Sequence, residues 1–264
     1  MKNSVLGIFL FFVITTLISW IVWAPAYLFS AGTVSSTVLI SIGSFSPLVA
    51  AIIMVWHEEK IPGVKKLLLR GIAFRMRKFA WIYLLLIPFS AAAASLIGQS
   101  RCSMKGSFSL LEHPQYIIPV FVMLMLFGGP LGGEFGWRGY VLDKLNSIMD
   151  PFFSAIAVCV MWCVWQFPLF YIPGTAQNAT SMPMFLLVTL MVSILMTILY
   201  LRTHCSVGWA VIMHSFVNLS FGIFSIYVSN CRTVYFLSII SVITGIAVII
   251  EHKMMFPSEQ KKLR

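Results

Sequence analysis

Apolar residues dominate this chain in runs of about 18 or more positions, and its polar and charged residues gather in short segments between them. A helix rising 1.5 Å per residue crosses a hydrocarbon core of about 30 Å in about 20 residues. Each run therefore predicts a membrane-spanning helix, and about eight are present, near 5–29, 34–56, 79–98, 116–137, 151–168, 183–201, 208–227 and 233–250. The fourth is interrupted by Gly128-Gly129-Pro130-Leu131-Gly132-Gly133, which predicts a broken helix restarting at Pro130. Glycines at 128, 132 and 136 would let another helix approach closely. The first run ends at Ala24-Pro25-Ala26, which has the form of a signal-cleavage site, but its apolar stretch exceeds a signal-peptide core and reads as an uncleaved first helix. The expected fold class is all-α, a polytopic membrane helical bundle.

Composition agrees, with 59% hydrophobic and 10% charged residues and a mean hydropathy of +0.94; a soluble globule carries about 25% charged residues. A formal net charge of +10 raises nucleic acid as a partner. The cations, however, fall in the loops between apolar runs rather than along an aromatic-studded face, so no nucleic-acid partner is expected. With the N-terminus inside, 15 of the 18 Lys and Arg residues lie on the cytoplasmic side and only Arg101, Lys105 and Arg232 lie outside. That bias places both termini in the cytoplasm and makes the protein integral and multi-pass, in the plasma membrane if the source is bacterial. Residues 1–252 read as a single transmembrane domain and 253–264 as a short basic tail.

Between His57 and Lys78 the cations are mixed with Leu67, Leu68, Leu69, Ile72 and Phe74, the pattern either of a helix lying on the inner leaflet or of a solvated basic loop. Cys102 and Cys231 share the outer compartment, which motivates a disulfide between them. Cys159 and Cys163 read as small core residues.

Ionisable groups at bilayer depth cost about 2.5–3.5 kcal/mol on insertion scales and are functional candidates by default. Glu134 and Arg138 are four apart, so carboxylate and guanidinium share a helix face and can pair. His214 and Asn218 have the same spacing and direct an imidazole and an amide the same way. On spacing alone, each pair is open to a purely structural reading as well as to a catalytic one.

The segment Gly132-Gly133-Glu134-Phe135-Gly136-Trp137-Arg138-Gly139-Tyr140 resembles the first motif of the CAAX-protease and bacteriocin-processing (CPBP) family of intramembrane proteases, which is two glutamates, three variable residues and arginine. Trp165-Gln166-Phe167-Pro168 resembles the second motif, which ends in histidine, and His214-Ser215-Phe216-Val217-Asn218 resembles the third, histidine followed four residues later by asparagine. Ser46-Pro47-Leu48-Val49-Ala50-Ala51 is similar to the family's second span, so the resemblance covers about residues 30–225. It implies a helical bundle in which the first glutamate activates water for peptide hydrolysis, with the histidines and asparagine assisting and, in some accounts, a divalent metal such as zinc. Family members cleave prenylated or leader peptides or serve in bacteriocin immunity.

Two positions depart from the pattern: Gly133 stands for the first glutamate and Gln166 for the second-motif histidine. Glycine cannot take a proton from water, and glutamine neither titrates near neutrality nor usually ligates metals. Glu134 leaves the helix about 100° away from position 133 and would need a distorted helix to act as the base instead. No bound metal or other cofactor is expected, because catalytic zinc needs about three protein ligands and only Glu134 and His214 are good donors. The site residues are thus Glu134, Arg138, His214 and Asn218, retained, with Gly133 and Gln166, substituted. The expected function is that of a CPBP-type peptidase homologue, weakly active or inactive, which sits in the lipid bilayer and binds a membrane-associated peptide or partner protein. An active endopeptidase using Glu134 as base is the alternative, and a small-molecule transporter is the second, although neither a repeat nor a charge ladder is present.

Overall fold

In the computed structural model, which describes residues 2–30, 32–101, 109–227 and 230–257, the chain is helical throughout and no strand occurs among the described residues. The main helices are α1 (Lys2–Trp23), α2 (Val34–Gly43), α3 (Ser46–Leu69), α4 (Ile82–Arg101), α5 (Ile117–Phe127), α6 (Pro130–Gly136), α7 (Pro151–Trp165), α8 (Met182–Arg202), α9 (Val207–Ile223) and α10 (Asn230–Ile250). A π-helical segment, Trp137–Leu142, continues directly from α6. Cys102, Lys105 and the tail from residue 258 lie outside the described residues, so the proposed Cys102 pairing does too. Cys231 is disulfide-bonded, whereas Cys159, Cys163 and Cys205 are free.

Among the described residues, five helical stretches are long and apolar enough to cross a membrane: Ser4–Leu28, Val34–Leu69, Ile82–Arg101, Met182–Arg202 and Asn230–Ile250. A sixth is broken, since Pro114–Phe127 and Pro130–Asn146 meet at 43°. The fifth and seventh of the expected spans are shorter than the sequence suggested, because Pro151–Trp165 has 15 helical residues and Val207–Ile223 has 17. At 1.5 Å per residue, α7 is about 23 Å long. The apolar runs outlast the helices at their C-terminal ends, where Gln166 and Phe224 leave helical geometry.

The basic segment after residue 57 is mostly helical. Lys60 takes φ 58° and breaks α3 into a spanning portion and a shorter portion that ends at Leu69. Its last residues anchor two other elements. The Arg70 carbonyl accepts the backbone N–H groups of Val207 and Gly208 at the start of α9, and its guanidinium donates to the carbonyl of Gly139, to Asp143 and to the Tyr200 hydroxyl.

The break before α6 is built from glycine and proline. Gly129 adopts φ 101°, a left-handed conformation that favours glycine, and Pro130 occupies the first helical turn. From there α6 runs backbone against backbone along the start of α3. A Cβ on Gly132 would lie 2.5 Å from the Ser44 carbonyl oxygen, and one on Gly136 would lie 2.6 Å from that of Pro47. These two glycines therefore provide the expected close approach. Gly128 does not, since a Cβ there would meet the carbonyl of Leu124 on its own helix. The most enclosed of the long helices is α8, with an unbroken run of buried residues from Val192 to Tyr200.

Candidate functional site

A cavity of about 780 Å³ lies between α2, α5, α7, α8 and α9. Its walls are mainly apolar, with Leu124, Phe127, Phe185, Val188, Val217 and Phe221 among them. Four of the six motif positions line it: Gly133, Gln166, His214 and Asn218. Glu134 and Arg138 do not. They stand behind the wall, fully buried, so the helical rotation of about 100° between residues 133 and 134 is preserved.

Behind the wall, His214 Nδ1 lies 2.7 Å from Glu134 Oε1. An ionised carboxylate can only accept, so Nδ1 carries the proton in that bond. Arg138 donates through Nη1 to the same oxygen at 3.2 Å and lies 3.2 Å from Oε2, although poor alignment leaves Oε2 without a hydrogen-bond donor among the described residues. The Arg138 guanidinium sits 5.1 Å from the ring of Trp162, and Trp162 meets the His214 imidazole edge to face at 5.0 Å. Glu134 thus fixes the imidazole from behind, while Trp162 holds both cation and ring in place.

On the cavity side, Gln166 Oε1 accepts from the side-chain amide of Gln177, which comes from the loop after α7. Asn218 donates to the carbonyl of Gly128 at 3.2 Å, tying α9 to the break before α6. Gly133 opens onto free space. A Cβ added there would touch only Trp137, 3.6 Å from Cδ1 and 3.9 Å from Nε1, both ordinary contacts.

The sequence reading missed Trp162, Trp137 and Gln177. Trp162 precedes Gln166 by four residues and so shares its helix face, a spacing that could have singled it out. Gln177 lies in an uncharged loop that carries no comparable signal. As for a metal, no three His, Cys, Asp or Glu side chains cluster among the described residues. Toward the cavity the motif positions supply one strong donor, the His214 imidazole, beside an amide at 166 and hydrogen at 133.

The family model for type II CAAX prenyl endopeptidase Rce1-like proteins matches residues 113–220, which include all three motif regions. A protein described as CAAX prenyl protease 2, from Methanococcus maripaludis, is 26% identical over 230 residues, covering 80% of this chain and 82% of that protein. These similarities fit the several apolar helices of an integral, multi-pass membrane protein. The matched residues carry the three motif regions in order, so both similarities support the resemblance to the CPBP family.

Proposed function

We propose that this CPBP homologue binds membrane-associated peptides, free or as part of a partner protein, and hydrolyses them weakly or not at all. The observation that carries this reading is the division of the first motif. Position 133 faces the cavity and has no side chain, whereas the remaining carboxylate, Glu134, is turned away and held by Arg138 and His214. Water in the cavity therefore meets no carboxylate base from this motif. The cavity itself is intact, with apolar walls for side chains or a lipid moiety and amide groups at Gln166, Gln177 and Asn218 for a peptide backbone. The donor set does not fit a catalytic metal, which takes about three protein ligands, because Glu134 is turned away from the cavity and only His214 presents a strong donor to it.

A second reading rests on the Glu134–His214 hydrogen bond. With its proton on Nδ1, a neutral His214 carries its lone pair on Nε2 and could itself act as a general base, oriented by Glu134. Its reach to substrate is what distinguishes it from the first reading.

Both readings are tested by reconstituting the chain in liposomes with a library of membrane-anchored peptides and measuring cleavage by mass spectrometry. Retention of peptides without turnover, and a gain of about 100-fold or more in cleavage for the double variant Gly133→Glu, Gln166→His, is the expected result, since general acid–base groups contribute about 10²–10⁴-fold. Turnover by the unaltered chain that disappears in His214→Ala would establish the second reading instead.

A further inference from the structure

The cavity has a mouth at one end of the bundle only. Gly133, Trp162 and His214 line it where it is buried, whereas its exposed rim comes from Thr37 on α2, from Gly174, Ala176 and Ala179 in the loop between α7 and α8, and from Gly222 on α9. That end is where α1 and α4 finish and α10 begins. Trp20, near the end of α1, donates to the Trp165 carbonyl at 2.9 Å, and Gly98 of α4 packs on the Arg232 side chain of α10.

The cations gather at the other end. Arg70, Lys144 and Arg202 stand there, paired with Asp143, Glu58 and Glu251, and Lys66 lines a smaller polar cavity of about 300 Å³ beside them. At the mouth end, by contrast, Arg101 and Arg232 are the only Lys or Arg residues among those described. Lys and Arg in excess mark the cytoplasmic side of a membrane protein. A second observation is independent of charge. Cys231, at the mouth end, is disulfide-bonded, whereas Cys205 is free and lies at the cationic end, where its carbonyl accepts from Arg70 at 3.0 Å. Disulfides persist on the oxidising side of a membrane and are rare on the cytoplasmic side.

We infer that the cavity opens away from the cytoplasm and that its ligand is an uncharged apolar peptide segment presented from the extracytoplasmic side. The lining selects for such a segment. Among the described residues no Asp, Glu, Lys or Arg lines the cavity, so a charged side chain brought into it would be desolvated without a partner. A peptide backbone finds acceptors on α2, where Thr37, Ser41 and Ser44 share one helix face toward the cavity. Thr37 and Ser44 donate their own protons to the carbonyls of Thr33 and Ile40, which leaves oxygen lone pairs for a peptide N–H. A chain arriving from the cytoplasm meets the ion-paired end of the bundle instead. This inference rests on the binding reading above and adds the compartment from which the ligand comes.

The test uses the full chain in the membrane of bacterial spheroplasts, with Cys159, Cys163 and Cys205 replaced by alanine and the disulfide kept. One reporter is introduced at a time: Ala176→Cys or Ala179→Cys on the rim, or Ser147→Cys at the cationic end. A membrane-impermeant maleimide should label both rim reporters in intact spheroplasts and Ser147→Cys only after permeabilisation, with the pattern reversed in inverted vesicles. A library of short, uncharged, amidated apolar peptides is then tethered to dextran, which keeps it outside the spheroplast. At about ten times its dissociation constant, a bound member should slow rim labelling about tenfold. Rim reporters that react only in inverted vesicles place the mouth toward the cytoplasm and overturn the inference. Rim reporters labelled from outside but protected by no tethered peptide overturn the peptide, and the binding reading with it, while the outward mouth stands.

Discussion

Behind the cavity wall, Glu134 and Arg138 engage each other and the Nδ1 side of His214, whereas on the cavity side the positions at 133 and 166 carry a hydrogen atom and an amide. Positions 133 and 134 are neighbours on one helix, yet only the one behind the wall carries an ionisable side chain. The difference follows from what each group does for the fold. A charge removed from the buried cluster would leave its partner uncompensated, at a cost of about 3–5 kcal/mol. An acid removed from the cavity side leaves open space and costs the packing nothing, since a Cβ at 133 would make only ordinary contacts. The motif positions of this chain can thus be sorted into those that pair behind the wall and those that face the cavity, and positions 133 and 166, where the chain departs from the motif it resembles, are of the second kind.

The largest expected effect comes from breaking the buried cluster. Arg138→Ala should destabilise the protein by about 3–5 kcal/mol, because the Glu134 carboxylate then keeps only His214 as a partner inside the bundle. Equilibrium denaturation in mixed micelles measures this. A cost no greater than that of Gln166→Ala, which removes a neutral amide at the cavity edge, would erase the distinction between the two regions.

A smaller effect separates the glycines of α6. Gly132→Ala should cost about 1–3 kcal/mol, because its methyl group would lie 2.5 Å from the Ser44 carbonyl oxygen and 2.7 Å from the Phe45 Cα, which are backbone atoms that cannot turn aside. The same denaturation experiment reports it. A neutral outcome would show that α6 and α3 can separate without loss, contrary to the close packing described above.

How far these distinctions could be read from the sequence depends on the distance over which their causes act. The apolar runs, the break at Gly129-Pro130 and the pairing of Glu134 with Arg138 are local, set by spans of one residue run or one helical turn, and they are visible in the chain itself. The 100° offset between residues 133 and 134 is equally local, and it decides which of them meets the cavity. Spacing did not reveal that Glu134 reaches across 80 positions to His214, or that Gln177 closes on Gln166 from a loop, because those contacts depend on how separate helices pack. Helix length was overestimated at α7 and α9 for a related reason: an apolar run records burial, and residues 166–168 and 224–227 are apolar or enclosed without being α-helical. The Arg70 anchor went unnoticed as well, since a cation in a basic loop looks the same whether it faces lipid headgroups or Asp143.

The smallest effect, and the one of opposite sign, belongs to Gly133→Ala. Its neighbour at 132 is wedged against backbone, but position 133 has room for a methyl group 3.6 Å from Trp137 Cδ1, and its backbone is already helical, donating to the Gly129 carbonyl at 2.7 Å. Alanine in a helix interior is favoured over glycine by about 0.5–1 kcal/mol, partly through the freedom that glycine loses on folding. The variant should therefore be stabilised by up to about 1 kcal/mol in the same micellar denaturation, while peptide turnover stays where it was, because a methyl group takes no proton. A destabilised Gly133→Ala would mean that the space over this residue is needed by the fold itself, and the glycine would then be a packing residue like Gly132 rather than a cavity-facing position with room for a side chain.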